Sequence, residues 1–124
     1  MGLLSGLLGN ASQADLEDVE KDLERFLAEG EPIEQAFQLI RDLFVFTDRR
    51  FILIDKQGIT GRKTEYHSIP YRAITHFVVE TAGHFDLEAE LKIWVSSTPD
   101  PIQRTFKRGD AIFEVQRALA KHVK

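Results

Sequence analysis

The sequence predicts a mainly β domain with an α-helix at each end, and three observations carry that prediction. The chain has 124 residues, which suits a single domain. Short apolar segments separated by turn residues follow one another from residue 33 to residue 107. On either side of them, apolar residues recur at the three- and four-residue spacing of an amphipathic helix.

Composition and charge exclude several kinds of function. The chain has no cysteine, which excludes a disulfide scaffold, a thiol catalyst and a Cys-ligated zinc site and fits a reducing, cytoplasmic compartment. Its net charge of −4 argues against nucleic acid as a partner. The first 30 residues hold seven acidic and two basic side chains, so the acidity belongs to the N-terminal segment.

We divide the chain into a flexible leader, residues 1–11, and one domain, residues 12–124. The leader contains two pairs of leucines separated by Gly and Ser. Three interpretations of it stay open: a tail that frays or docks on a partner, a segment that packs on its own domain, or a membrane contact.

Residues 12–30 are predicted to form the N-terminal helix. Ser12 is a good N-cap, and Gly30 suits the left-handed position that follows a helix. Pro32 would not continue the helix. The face opposite the acidic residues carries one apolar stripe, which consists of Leu16, Val19, Leu23, Phe26 and Leu27.

Residues 31–108 are predicted to form seven antiparallel strands, at 33–40, 43–46, 51–54, 63–69, 74–81, 86–95 and 102–107. The polar residues 47–50 and 55–58 indicate turns, and Gly58 is expected to have a positive φ. The segment 86–95 alternates strictly, which puts Trp94 on the outward face with charged neighbours. Such a meander curls into a barrel or packs as two sheets.

Residues 109–124 are predicted to form a C-terminal helix that closes one open end of the strands. Asp110 is a good N-cap, and Lys121 and Lys124 suit the C-terminal end of a helix dipole. The apolar stripe of this helix consists of Ile112, Val115, Leu119 and Val123.

Two of the predicted strands, 43–46 and 51–54, are apolar at every position. Successive side chains of a strand point to opposite faces, so Phe44 and Val45 cannot share one interior, nor can Ile52 and Leu53. Both faces of these strands must therefore be covered. The N-terminal helix is one candidate for the outer cover, and a second protomer is the other.

Five segments together resemble the bacterial pleckstrin-homology-like domain family. They are IRD at 40–42, FTDRR at 46–50, DKQGITGRK at 55–63, EYHSIPY at 65–71 and ETAGHFDL at 80–87. The resemblance extends over nearly the whole chain. It implies the family's fold, a curled seven-stranded antiparallel barrel or sandwich capped by a C-terminal helix, here with an added N-terminal amphipathic helix.

The resemblance also implies a non-enzymatic module that assembles into a cyclic homo-oligomer of more than two chains and binds protein partners. We therefore predict a protein–protein interaction scaffold that uses no catalytic residue, metal or cofactor. Its partner contacts are expected on the polar turn and the strand after it, at Asp48, Arg49, Arg50, Lys63, Glu65 and Tyr66.

Weak binding to an anionic membrane is the alternative function. The basic residues near the turns could contact lipid headgroups, and each would contribute about 1 kcal/mol; they are Arg49, Arg50, Arg62 and Lys63. The acidic first helix opposes this contact. The turn at Arg41-Asp42 is also too tight to build the basic pocket of eukaryotic pleckstrin-homology domains.

Two further motifs have ordinary interpretations. Gly58 and Gly61 are too close together for a phosphate-binding P-loop, and strands rather than helices are predicted around them. None of the four histidines lies at the spacing of a helical metal pair. We interpret the glycines as part of a hairpin loop and the histidines as surface or hydrogen-bonded side chains.

Overall fold

The structure, a computed structural model, describes residues 21–39, 42–57, 63–81, 88–107 and 111–123. Seven antiparallel strands are followed by a C-terminal helix, Ile112–His122. The strands are β1 (Ile33–Gln38), β2 (Asp42–Thr47), β3 (Arg50–Gln57), β4 (Lys63–Pro70), β5 (Ile74–Thr81), β6 (Glu88–Val95) and β7 (Ile102–Lys107). A short 3-10 helix, Tyr71–Ala73, joins β4 to β5.

All seven predicted strands are confirmed, and β5 and β7 have the predicted bounds. Strand β3 extends to Gln57, so the prediction of a turn that begins at residue 55 is wrong. Strand β1 ends at Gln38, before the predicted end at residue 40. The described part of β6 begins at Glu88, while the predicted start at residue 86 lies outside the described residues. Gly58 also lies outside them, so its positive φ stays a prediction.

The strands form two separate sheets, in the orders β1-β2-β3-β4 and β5-β6-β7. The prediction of two packed sheets is therefore confirmed, and the alternative of a closed barrel is wrong. The break falls where β4 ends at Pro70 and the 3-10 helix turns the chain. Proline has no N–H to donate to a ladder, so the hydrogen bonding does not continue through this corner.

The main core lies between the two sheets and the C-terminal helix. The first sheet contributes aromatic and aliphatic side chains that include Phe44, Phe46, Phe51 and Leu53. The second sheet contributes Leu91, Ile93 and Phe106, and the helix contributes Val115, Ala118 and Leu119. The predicted role of the C-terminal helix as a cap is confirmed. Its N-cap position is Ala111, without a side-chain hydrogen bond, while Asp110 lies outside the described residues.

A second apolar cluster lies on the outer face of the first sheet. It consists of Leu23, Ile33, Ala36, Leu43, Val45, Ile52 and Ile54, with Leu27 and Tyr66 packed against it. Val45 and Ile52 are 0% exposed there, while Phe44 and Leu53 belong to the main core. The prediction that adjacent residues face opposite cores is confirmed. The N-terminal segment of the same chain supplies part of the outer cover.

The N-terminal helix ends earlier than predicted. Its described part is helical through Leu23 and continues as turns, instead of extending to residue 29. Two contacts end the helix: the carbonyl of Phe26 accepts a hydrogen bond from Arg50, and the amide of Ala28 donates one to Glu31. The predicted left-handed conformation of Gly30 is confirmed by its φ of 76°.

Candidate functional site

The structure places the six predicted contact residues in three regions instead of one site. Asp48 and Arg49 form the β2–β3 turn, Arg50 and Tyr66 lie beside the N-terminal segment, and the exposed Lys63 and Glu65 lie on β4. In the β3–β4 ladder Arg50 pairs with Pro70, while Lys63 pairs with Gln57 at the opposite end. The two ends lie seven residue steps apart along β3, a span of about 24 Å.

The β2–β3 turn is exposed and carries both charge signs. Arg49 Nε lies 3.5 Å from Asp48 Oδ1, with 50% and 41% of the two side chains exposed. Thr47 shapes the turn, because its hydroxyl oxygen accepts hydrogen bonds from the amides of Arg49 (3.1 Å) and Arg50 (3.0 Å). The turn is therefore a fixed, solvent-facing pair of opposite charges.

Arg50 connects three parts of the fold, and we call its contacts the Arg50 clasp. Its Nε and Nη2 donate to the two carboxylate oxygens of Glu31, at 2.9 and 2.8 Å. Nη2 also donates to the carbonyl of Phe26 at 2.6 Å, and Nη1 donates to Ser68 Oγ at 2.9 Å. The clasp ties the end of the N-terminal helix to β3 and β4.

The carboxylate of Glu31 is buried and fully hydrogen-bonded. Besides Arg50, it accepts from the hydroxyl of Thr47 at 2.7 Å and from the amide of Ala28 at 2.9 Å. The hydrogen bonds from Arg50 contribute most to lowering the pKa of Glu31 from 4.5 to about 2, although burial opposes the change. The Glu31 carboxylate is thus charged throughout the neutral and mildly acidic range.

Tyr66 also contacts the N-terminal segment. Its ring stacks on that of Phe26, with centroids 4.1 Å apart and an interplanar angle of 20°. Phe26 remains 44% exposed on its other side. Two of the six predicted contact residues, Arg50 and Tyr66, therefore contact the chain's own N-terminal segment. These contacts are not predicted from the sequence.

The outer face of the second sheet carries an aromatic pair. His76 and Trp94 are cross-strand neighbours on β5 and β6, and their rings stack at 4.4 Å. Val78 is 37% exposed on the same face, and Lys92 pairs with Glu80 at 3.0 Å. The outward position of Trp94 is confirmed. Its partner could not be found from the sequence, because the β5–β6 register decides which residue lies opposite.

A charged cluster joins the two sheets at one edge of the main core. Arg104 Nε on β7 lies 2.8 Å from Asp42 Oδ2, and its Nη2 lies 3.4 Å from Asp55 Oδ2. Burial raises the pKa of Asp42, and the neighbouring Asp55 adds to this effect, while Arg104 opposes it. No local sequence signal indicates this cluster, because its members come from three strands.

His122, at the end of the C-terminal helix, stacks on Tyr71 with ring centroids 4.4 Å apart. Its Nε2 lies 3.1 Å from Glu34 Oε1. Burial lowers the pKa of His122, although the carboxylate of Glu34 opposes this effect. The hydroxyl of Tyr71 donates to the carbonyl of Thr47 at 2.6 Å, and burial raises the pKa of Tyr71.

Two further features bear on function. Among the described residues, no group of three or more His, Asp and Glu side chains is placed to hold a metal ion. In the same parts of the chain, no helix is both long and apolar enough to cross a membrane.

Comparison with known proteins identifies a family match over nearly the whole chain. The profile of the family "Bacterial PH domain" matches residues 2–123. The uncharacterized protein YjqA of Bacillus subtilis (strain 168) is 54% identical over 121 residues, which cover 97% of each chain.

Two solved structures have the same fold. The pleckstrin homology domain from Shewanella amazonensis SB2B is 49% identical, with a TM-score of 0.80 and 94% of each chain covered. A DUF1696-family protein with a pleckstrin-homology domain, from Shewanella loihica PV-4, is 46% identical with a TM-score of 0.77. That match covers 94% of this chain and all of the other.

Proposed function

The chain belongs to the bacterial PH-domain family, and we propose that it is a non-enzymatic PH-like module that self-assembles and acts as a protein–protein interaction scaffold. The assembly we propose is a cyclic homo-oligomer of more than two chains. A cytoplasmic location accords with the cysteine-free sequence.

The open edges of the two sheets are the observation that carries this proposal. Over the described part of the chain, β1, β4, β5 and β7 each have a hydrogen-bonded neighbouring strand on one side only. Unpaired edge groups can accept a strand from another molecule. When the two edges that meet are different, the contact repeats around a rotation axis and can close into a ring.

Exposed residues supply the surfaces for other partners. Asp48 and Arg49 at the turn, and Lys63 and Glu65 on the edge strand β4, are free of the clasp. The aromatic pair His76 and Trp94 adds an outward-facing contact, and Trp is enriched at protein interfaces. These three regions are the partner contacts that we propose.

Weak membrane binding is the less favoured function. The Arg50 guanidinium is held by Glu31, Phe26 and Ser68, and the Arg49 side chain has an acidic neighbour at 3.5 Å. Of the four basic residues, Lys63 remains exposed on β4, and Arg62 lies outside the described residues. A single exposed Lys contributes only about 1 kcal/mol to the attraction of an anionic membrane.

Size-exclusion chromatography with light scattering tests the proposal at micromolar concentration and physiological salt. We expect a single species whose mass is three or more times the chain mass of 14.2 kDa. A monomer would contradict the assembly. If that monomer co-sediments with phosphatidylglycerol vesicles but not with phosphatidylcholine vesicles, the membrane function replaces the scaffold.

A further inference from the structure

We propose that the N-terminal segment is exchanged between copies, so that residues 21–27 of one chain cover the outer sheet face of the next chain. The occupant of that face is thus a second copy of the same segment. This inference rests on the proposed self-assembly, because neighbouring copies must be held close together. Exchange of the segment would link neighbouring copies in addition to the strand contacts.

The segment can leave without disturbing the main core. The two apolar clusters are separate, and Leu23 and Leu27 contribute only to the outer one. The main core keeps residues from both sheets and from the C-terminal helix when the segment moves. With the main core intact, the domain stays folded while the outer face of its first sheet is uncovered. The segment of another copy can then pack on that face.

The hinge is the turn at residues 28–31. The amide of Glu31 donates to the carbonyl of Ala28 at 3.0 Å, and the amide of Ala28 donates to Glu31 Oε1 at 2.9 Å. Gly30 has a φ of 76° between them, which other residues rarely adopt. If this turn opens into extended backbone, the segment separates from its own sheet, while Glu31 stays bonded to Arg50.

The exchanged contacts would be those already present within one chain. Leu23 would fill the same apolar cluster, Phe26 would stack on Tyr66, and the Phe26 carbonyl would accept from Arg50. Exchange of an identical element needs no new complementarity, which makes it a low-cost route to assembly. When each chain donates to the next instead of back to its donor, the exchange closes into the ring proposed above.

Single-cysteine variants test the exchange in a chain that has no other cysteine. Phe26→Cys protein and Tyr66→Cys protein are unfolded together, refolded as a mixture and oxidised. A disulfide between positions 26 and 66 can then form only between two copies. The control mixture joins Tyr66→Cys with Phe113→Cys, because Phe113 is 59% exposed on the C-terminal helix, away from the outer cluster. We expect covalent dimers in the first mixture well above the control level.

Two variants of Gly30 adjust the hinge. A Cβ at Gly30 meets no atom within 4 Å, so a larger residue there strains only the backbone. Gly30→Val should raise the exchanged fraction roughly tenfold, because a β-branched residue disfavours the left-handed turn but fits extended backbone. Gly30→Asn is the matched control, since Asn tolerates this conformation, and it should change the fraction little.

The outcomes separate this inference from the proposed function. Interchain disulfides above the control level, enhanced by Gly30→Val, support exchange. If the protein is oligomeric and the mixture gives no interchain product above control, exchange is wrong and the scaffold proposal stands. A monomeric protein without interchain product overturns both.

Discussion

Arg50 is the residue on which the N-terminal cover depends most. Its loss would leave the buried carboxylate of Glu31 without its charged partner and the carbonyl of Phe26 without a donor. We expect Arg50→Ala to lower the free energy of unfolding by about 3–5 kcal/mol, as for other buried pairs broken on one side. Urea denaturation at pH 7 measures this change in the free energy of unfolding.

The neighbouring residue provides the control for that prediction. The Arg49 side chain is exposed and forms a long ion pair with Asp48, so Arg49→Ala should change the unfolding free energy by less than about 1 kcal/mol. Equal losses for the two variants would show that the clasp does not hold the segment.

Glu31 makes stability depend on pH in the acidic range. Its folded pKa of about 2 lies below its ordinary value of 4.5. Its contribution is therefore complete well above pH 4.5 and is lost as the pH falls toward 2, for a total on the order of 3 kcal/mol. Urea midpoints measured from pH 6 to pH 3 should fall steeply in the wild type and less steeply in Glu31→Gln. Parallel curves for the two proteins would contradict this account.

The C-terminal helix should be sensitive to pH at its last turn. Burial lowers the pKa of His122 below 6.5, so the folded state binds the proton less readily than the unfolded state. Its stabilising contribution is present above pH 6.5 and declines as the pH falls below that value. His122 changes the free energy of unfolding by at most about 1.4 kcal/mol per pH unit.

Comparison of two histidine variants isolates that effect. His122→Phe keeps a ring against Tyr71 and removes the titrating group, so stability should depend less on pH between 7.5 and 5.5. His122→Gln also removes the titrating group but keeps a polar side chain, and it should weaken the pH dependence in the same way. The interpretation fails if His122→Phe leaves the slope unchanged.

Local patterns in the sequence predict the elements well, because each strand is short and bounded by turn residues. Strand 74–81 is bounded by Pro70 and the polar segment after Thr81, and its predicted bounds match the structure. The end of the N-terminal helix, in contrast, cannot be predicted from the local sequence pattern. Its stripe would permit a helix to residue 29, but contacts with Arg50 and Glu31 end it sooner. The contact between Arg50 and Phe26 joins residues 24 positions apart, and no local pattern encodes it.

The candidate site was less predictable for the same reason. Arg50 and Arg49 are indistinguishable in the sequence, yet one is enclosed and the other is exposed. The difference depends on the β3–β4 register, which places Arg50 opposite Pro70, and on the contact of Arg50 with the N-terminal segment. Trp94 was predicted correctly to face outward, because strict alternation determines the face of a residue without any knowledge of its neighbours.

At the scale of the whole molecule, the described residues form two apolar clusters and leave four strand edges open. The apolar outer face gave the sequence-based reason to expect a second protomer. Within one chain that face is already covered at Val45 and Ile52. The support for self-assembly is therefore the open strand edges instead of an uncovered face.

Trp94 reports on assembly because it is the sole tryptophan of the chain. It is half-buried beside His76 on the outer face of the second sheet. If copies contact one another there, its emission should shift to longer wavelength as the assembly is diluted apart. His76→Ala is the control for local quenching by the stacked ring. Constant emission through dissociation would place the contact elsewhere on the surface.

Native mass spectrometry tests self-assembly most directly, because it counts the chains in each particle. The account predicts one dominant species with an integer number of chains, three or more, each of 14.2 kDa. A spectrum dominated by single chains or by dimers at micromolar concentration would contradict the cyclic assembly.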